Sequence, residues 1–276
     1  MKALPRILAA LAIAALARAA EAQTPKPAPT SAPTPSAADA KEGKALFAKV
    51  VAGFGGKQKV DTVRDVQTRG ELKAKTPEGD AAMEVQTALV FPDRLSQQVD
   101  SPFGRFSMVA TPAGAFLVGP AGSQDLPESM KAELLRQLQR VPLFLAQKVD
   151  DPKLSVVAAG SAQVQNVPVR ILDVRYGDTA VRWFVDPKTG RILRTVHMAT
   201  SPEGKPLEMS SDYLDYRTVN GFPIAHRLEV TTNGERDQTL TLEECKINAG
   251  VDPAVFQKPA PVPTTPPTSP PPAPGG

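Results

Sequence analysis

Residues 181–198 constrain the fold of this chain more than any other segment, because they have the pattern of a long β-hairpin. Side chains two residues apart lie on the same face of a strand. The connection at residues 186–190 (Asp-Pro-Lys-Thr-Gly) carries proline and glycine where a turn needs them. The alternating apolar positions are Val181, Trp183 and Val185 before the turn and Ile192, Val196 and Met198 after it. We therefore expect an antiparallel hairpin with one apolar face.

Similar alternation recurs along most of the chain and predicts a domain built mainly from strands. The first pair covers residues 66–74 and 83–91, with a turn at residues 77–80 (Pro-Glu-Gly-Asp). Asn220-Gly221 and Asn233-Gly234 are the strongest hairpin signals, because Asn-Gly favours the tight turn that joins twisted strands. Further strands are predicted at residues 95–99, 105–110, 115–118, 154–159, 167–175, 207–217, 223–232 and 238–247.

Two segments have helical spacing instead. Apolar side chains recur three and four residues apart within residues 46–54, where Asp39 can cap the helix start and Gly55-Gly56 can end it. A second apolar stripe covers residues 127–141, and Pro142 is expected to stop that helix. About a dozen strands with two helices predict a mainly β fold of the α+β class, a large curved antiparallel sheet with helices on one side.

The first residues have the pattern of a secretory leader. Residues 1–22 combine Lys2 and Arg6 with an apolar run and the small-residue site Ala20-Glu21-Ala22. The apolar run, about eleven residues, is short of the roughly twenty that span a membrane, although an uncleaved membrane anchor is the alternative. Cys245 is the only cysteine, so neither a lipid-modified N-terminal cysteine nor an internal disulfide is available. We expect an exported, periplasmic protein with a cleaved signal peptide and no transmembrane span in the mature chain.

Two proline-rich segments flank the predicted domain. Residues 23–38 and 258–276 lack apolar periodicity and favour extended, solvated backbone. We expect a linker and a tail, although proline-rich tracts are also ligands for aromatic-lined grooves. Residues 39–257 then form one domain. Once the leader is removed, 29 basic and 28 acidic residues remain, so the charge does not indicate a nucleic-acid partner.

Residue types suited to catalysis or metal binding are few. His197 and His226 lie on different predicted strands, and the sequence has neither a zinc-binding histidine spacing nor a Cys-x-x-Cys motif. No serine-nucleophile elbow or phosphate-binding loop is present. Carboxylate pairs such as Asp212 with Asp215 are better explained by a solvated surface. We therefore expect neither an enzyme nor a cofactor or metal site.

Three motifs and the order of elements point to a known family. After the leader come a helix ending in Gly-Gly and a wide meander with a mid-chain helix. The motifs are Phe-Val-Asp-Pro-Lys-Thr-Gly at residues 184–190, Asp-Tyr-Arg-Thr-Val-Asn-Gly-Phe-Pro at residues 215–223 and Val-Asp-Pro-Ala-Val-Phe at residues 251–256. Over almost the whole predicted domain the chain resembles the bacterial outer-membrane lipoprotein-sorting proteins, the periplasmic lipoprotein carriers. The resemblance implies an unclosed β-barrel whose concave side is covered by helices around an apolar cavity that shelters acyl chains. It also implies a cavity arginine, for which Arg69 is the candidate.

The predicted concave face supplies the candidate binding residues. A half-closed sheet lined with apolar side chains can enclose a dry pocket, and methionine adapts to a flexible chain. The same side chains would otherwise fill an ordinary core against the helices. The candidates are Phe91, Leu95, Val99, Phe106, Met108, Leu134, Leu138, Trp183, Val196, Met198, Met209 and Tyr213, with Arg69 as the polar candidate.

These observations predict a non-enzymatic periplasmic carrier that shelters a lipid acyl chain or a lipidated protein. The first alternative is a sensor or adaptor that uses the same fold to bind a protein partner in the cell envelope. A weaker alternative is an accessory subunit of an envelope peptidase or transporter.

Overall fold

A computed structural model describes residues 36–76, 79–102, 104–200 and 205–259. In these ranges the segments with alternating apolar side chains form strands of one antiparallel sheet. The predicted leader and most of both proline-rich segments lie outside the described residues, as do Pro77 and Glu78 of the first predicted turn. The strands are β1 (Asp65–Thr76), β2 (Gly79–Val90), β3 (Arg94–Ser101), β4 (Gly104–Thr111), β5 (Gly114–Gly119), β6 (Gly122–Asp125), β7 (Leu154–Val164), β8 (Val167–Tyr176), β9 (Thr179–Val185), β10 (Ile192–Thr200), β11 (Pro206–Val219), β12 (Phe222–Thr232) and β13 (Glu235–Ile247).

The sheet is open at both ends. Its spatial order is β6-β5-β4-β3-β2-β1-β13-β12-β11-β10-β9-β8-β7, so β1 and β13 pair in the middle and every other neighbouring pair is consecutive in the chain. The end strands β6 and β7 do not pair with each other in this order. The predicted mainly β class, with a large unclosed antiparallel sheet, is therefore confirmed.

The predicted turns hold the strands in register. The Asn-Gly pairs join β11 to β12 and β12 to β13, and Val219 pairs with Phe222 across the first of these turns. Their φ angles are 49° and 77° at residues 220 and 221, and 49° and 88° at residues 233 and 234. Asparagine and glycine tolerate this left-handed region, which explains why the sequence signal was reliable.

The helices are α1 (Ala37–Gly53), α2 (Lys57–Val60), α3 (Glu128–Gln139) and α4 (Pro142–Gln147), with a 3₁₀ turn at Pro253–Phe256. Ser36, not Asp39, is the N-cap of α1: the Asp39 N–H donates to the Ser36 hydroxyl at 3.2 Å, and the Asp39 carboxylate accepts from the Ser36 N–H at 2.9 Å. Helix α3 ends at Gln139, shortly before Pro142, and Pro142 is the first residue of α4. Proline suits this position because the first turn of a helix needs no N–H donor.

The main core lies between the helices and one face of the sheet, which we call the concave face. Helix α1 packs on β7 and β8, and α3 packs on β3, β4 and β5. Phe47 of α1 stacks on Trp183 of β9, with 5.5 Å between ring centroids and 9° between ring planes. These contacts place helices over both flanks of the sheet.

Candidate functional site

The pairing register determines which side chains share the concave face, because residues directly opposite each other point to the same side of a sheet. Trp183 pairs with Leu172 on β8 and Thr195 on β10, and Thr195 pairs with Ser211 on β11. Tyr213 lies two residues beyond Ser211 on the same face, and an apolar row begins there. This row, the central apolar row, consists of Tyr213, Leu228, Leu240, Leu72 and Met83, which pair successively across β11, β12, β13, β1 and β2.

Most of the predicted site residues lie on or against this face. One group belongs to the main core. Its fully buried members are Leu95, Met108, Leu134, Leu138 and Trp183, and its partly buried members are Phe91 and Tyr213. Val99 and Phe106 belong to a second buried cluster with Ala74, Met83 and Val85. The predicted residues are therefore divided between a part covered by helices and a neighbouring part nearer the middle of the sheet.

The middle of the concave face is more open than its flanks. Leu72, Leu228 and Leu240 of the central apolar row are only partly buried. Leu72 packs against the second cluster, whereas the main helix contacts lie over β3, β4, β5, β7 and β8. An apolar strip about five strands wide, at the 4.7–4.9 Å spacing of neighbouring strands, thus extends across the sheet.

Val196 and Met198 do not lie on this face. The register of β10 shifts between Ile192 and Arg194, so Val196 pairs with Arg182 on the opposite face, and Met198 is 56% exposed. The extra residue in β10 reverses the side of every later side chain, which the sequence alternation did not reveal. His197 takes the concave position instead, paired with Met209.

Arg69 also lies on the opposite face. Its neighbour Thr68 pairs with Cys245, which packs against the main core, so Arg69 points away from it. The Arg69 Nη1 donates to Glu243 Oε2 at 2.7 Å, and 44% of the Arg69 side chain is exposed. The structure therefore does not bring Arg69 to the concave face.

A different, largely buried arginine lies at the C-terminal end of α3. Arg140 follows the last residue of α3, and only 10% of its side chain is exposed. Its Nη1 donates to Glu133 Oε1 at 2.8 Å, while Arg136 Nη2 approaches Glu133 Oε2 at 2.8 Å. Sequence reasoning missed Arg140 because it followed the apolar stripe of this helix, in which charged positions are normally assigned to solvent.

Contacts with the start of β9 fix the C-terminal end of α3 over the sheet. The Thr179 hydroxyl donates to Gln139 Oε1 at 2.7 Å, and Arg136 Nη1 lies 3.6 Å from Asp178 Oδ2. Since α3 also packs on β3, β4 and β5, it reaches across the mouth of the curved sheet.

Burial controls the ionisation of the groups on the concave face. The pKa of His197 is lowered from 6.5 to about 4, mainly by desolvation and to a smaller extent by the positive charge of Arg140. The negative charge of Glu133 has a smaller effect in the opposite direction. Desolvation also raises the pKa of Tyr213, although its hydrogen bond with Thr195 acts in the other direction. The Cys245 thiol has a pKa raised to about 11 by burial. Neutral His197 and a protonated thiol are suited to an apolar binding surface.

Other features lie away from this surface. A shallow depression of about 290 Å³ lies between α1 and residues 187–190. A second, of about 320 Å³, is lined by Arg94, residues 111–113 and residues of the 3₁₀ turn. Within the described ranges, no three His, Cys, Asp or Glu side chains are grouped as metal ligands. None of the described helices is long and apolar enough to span a membrane.

Solved structures share this architecture. A putative outer membrane lipoprotein-sorting protein domain from Vibrio parahaemolyticus has a TM-score of 0.50 and 15% identity, with 79% of this chain and 97% of that chain covered. This chain shares its fold with that lipoprotein-sorting protein domain. A DUF1329 family protein from Desulfovibrio piger has a TM-score of 0.54 and 13% identity over the same shares of the two chains. For a LolA superfamily protein from Nitrosomonas europaea the values are 0.50 and 12%, over 78% of this chain and 97% of that one. Neither a family model nor a curated protein matches the sequence.

Proposed function

We propose that this protein is a periplasmic carrier or binding protein that shelters an acyl chain of a lipid or lipidated protein on its concave face. The observation that carries the proposal is the central apolar row, which crosses an unclosed sheet and leaves Leu72, Leu228 and Leu240 partly exposed. A contiguous apolar surface of this kind commonly marks a binding site.

The chemistry of the strip suits a hydrocarbon chain. Each methylene removed from water contributes about 0.8 kcal/mol, so about ten sheltered methylenes provide useful affinity without a polar contact. Met83, Met108 and Met209 lie on the concave face, and their unbranched side chains can adapt to a flexible ligand. Binding would therefore depend on shape and burial, in keeping with a non-enzymatic role.

Helix α3 supplies a means of release. Its C-terminal end is held by the Thr179 to Gln139 hydrogen bond and by the partly exposed contact between Arg136 and Asp178. Movement of that end would require breaking these two contacts and withdrawing Leu138 from the core, while Leu134 remains packed. We infer that α3 acts as a lid whose C-terminal end moves when cargo enters or leaves.

The cellular location follows from the predicted leader. Residues 1–22 have the composition of a cleaved signal peptide, and the proposed transfer of acylated cargo belongs in the periplasm. The lipoprotein-sorting name of the Vibrio parahaemolyticus structure supports the same location by analogy of fold.

Native mass spectrometry of the mature chain, followed by solvent extraction, tests the proposal. We expect a stoichiometric lipid or acylated peptide in the wild type and its loss in Leu240→Asp, which places a charge in the central apolar row. The adjacent Thr241→Asp is the matched control, since Thr241 is exposed and alternation places it on the other face. An unliganded wild-type mass, together with failure to take up a fluorescent acyl probe, would contradict the carrier.

A second candidate is a protein-binding adaptor. Leu134 and Leu138 of α3 are 1% and 0% exposed, so this helix fills the concave face over β3, β4 and β5 as an ordinary core element would. The adaptor requires no space for an acyl chain beneath α3. The unliganded outcome described above would favour it.

A further inference from the structure

Two buried hydrogen-bond donors on the helix-covered part of the concave face have no partner among the described residues. They are the Nε of Arg140 and the indole N–H of Trp183. Trp183 is 0% exposed, and 10% of the Arg140 side chain is exposed. Buried donors without partners are rare in folded proteins, because each has lost its hydrogen bonds to water.

Both donors belong to the same part of the concave face. Trp183 pairs with Thr195, and His197 follows two residues later on the same face of β10. Arg140 is close enough to His197 for its charge to disfavour protonation of the imidazole. Each of the two donors therefore lies near His197.

The charge of this cluster favours an electron-rich ligand atom. Glu133 is the acceptor for both Arg136 and Arg140, so one carboxylate faces two guanidinium groups. Asp178 approaches Arg136 from the exposed side, with 78% of its own side chain accessible. The inner guanidinium of Arg140 is thus left with an unused donor and an incompletely balanced charge.

We propose that Arg140 and Trp183 form a polar subsite that holds the oxygen-bearing head of an acyl chain, a carboxylate or an ester carbonyl, whose hydrocarbon lies along the central apolar row. This inference rests on the proposed function and adds the end of the ligand that the apolar strip cannot recognise. Arg140 donates through Nε while its Nη1 stays bonded to Glu133. Trp183 donates through its indole N–H while its ring stays stacked on Phe47.

Binding of three probes to the mature chain tests this subsite: palmitate, methyl palmitate and hexadecane. Arg140→Met should weaken palmitate binding by about tenfold or more, because a charged hydrogen bond is lost, and leave hexadecane binding within about twofold. Trp183→Phe removes the indole N–H but keeps a ring against Phe47, and should weaken both oxygen-bearing probes. A loss confined to palmitate in Arg140→Met identifies a carboxylate head, and a loss for the ester as well identifies a carbonyl.

Arg69→Met is the matched control, because it makes the same replacement on the opposite face, and it should change no affinity. Circular dichroism of each variant checks the fold, and Trp183→Phe keeps the test valid if Arg140→Met does not fold. If all three probes bind but neither variant discriminates against the oxygen-bearing ones, the subsite is overturned and the carrier stands. If no probe binds the wild type, the proposed function fails and the subsite with it.

Discussion

At the scale of single residues, Trp183 joins the sheet to α1. It is fully buried, and its ring stacks on Phe47. We predict that Trp183→Ala lowers the free energy of unfolding by about 3–5 kcal/mol, because it removes a large buried side chain and leaves a cavity. Met198→Ala is the control, since Met198 is 56% exposed on the opposite face and its loss should cost no more than about 0.5 kcal/mol. Urea unfolding measures both, and equal costs would contradict the assigned faces.

His197 makes stability depend on pH. Its folded pKa of about 4 lies below the usual 6.5, so between these values the unfolded chain binds a proton that the folded chain does not. Stability should therefore fall as the pH decreases through this window. We predict that wild type loses on the order of 2–3 kcal/mol more than His197→Gln between pH 7 and pH 4.

Urea unfolding at a series of pH values measures the difference, and NMR titration of the resonance missing from His197→Gln gives the pKa directly. A resonance that titrates near the usual value would show that His197 is solvated and does not lie beneath α3.

At the scale of elements, α1 and β7 touch through a glycine. A Cβ at Gly43 would lie 2.7 Å from the Val156 carbonyl oxygen and 2.8 Å from the Val157 Cα, both backbone atoms that cannot rotate away. Alanine in a helix normally stabilises it by about 1 kcal/mol relative to glycine. We predict the reverse for Gly43→Ala, a loss of about 1–3 kcal/mol from overpacking.

Thermal unfolding of Gly43→Ala measures the sign of this change. Gly114→Ala is its control, because a Cβ there meets nothing within 4 Å. A stabilised Gly43→Ala variant would mean that α1 does not pack closely on β7.

Local patterns predicted the elements better than the faces they present. The Asn-Gly turns and the turn at residues 186–190 depend on local backbone geometry, so the sequence revealed them directly. The short polar strand β6 has no apolar alternation and was missed. The extra residue in β10 is set by pairing with β9 and β11, so Val196 and Met198 followed an alternation that the register interrupts.

The same distinction applies to the candidate site. Trp183 and Tyr213 were found because apolar alternation marks one face of a strand. Arg140 and His197 come near each other through the packing of α3 on the sheet, and no local pattern indicates that residues so distant in sequence are close in space. Arg69 was inferred from family resemblance, and its alternation with Thr68 and Gly70 along β1 places it on the other face.

At the scale of the whole molecule, an unclosed sheet with helices over its flanks leaves the central apolar row as the place for cargo. Photoaffinity labelling with a diazirine-bearing palmitate, followed by peptide mass spectrometry, tests this claim most directly. We predict saturable labelling on β1, β11, β12 and β13 at concave residues such as Leu72 and Leu240, competed by unlabelled palmitate, with no labelling at Met198. Labelling that is not saturable, or that falls mainly on the face carrying Met198 and Arg69, would contradict the account.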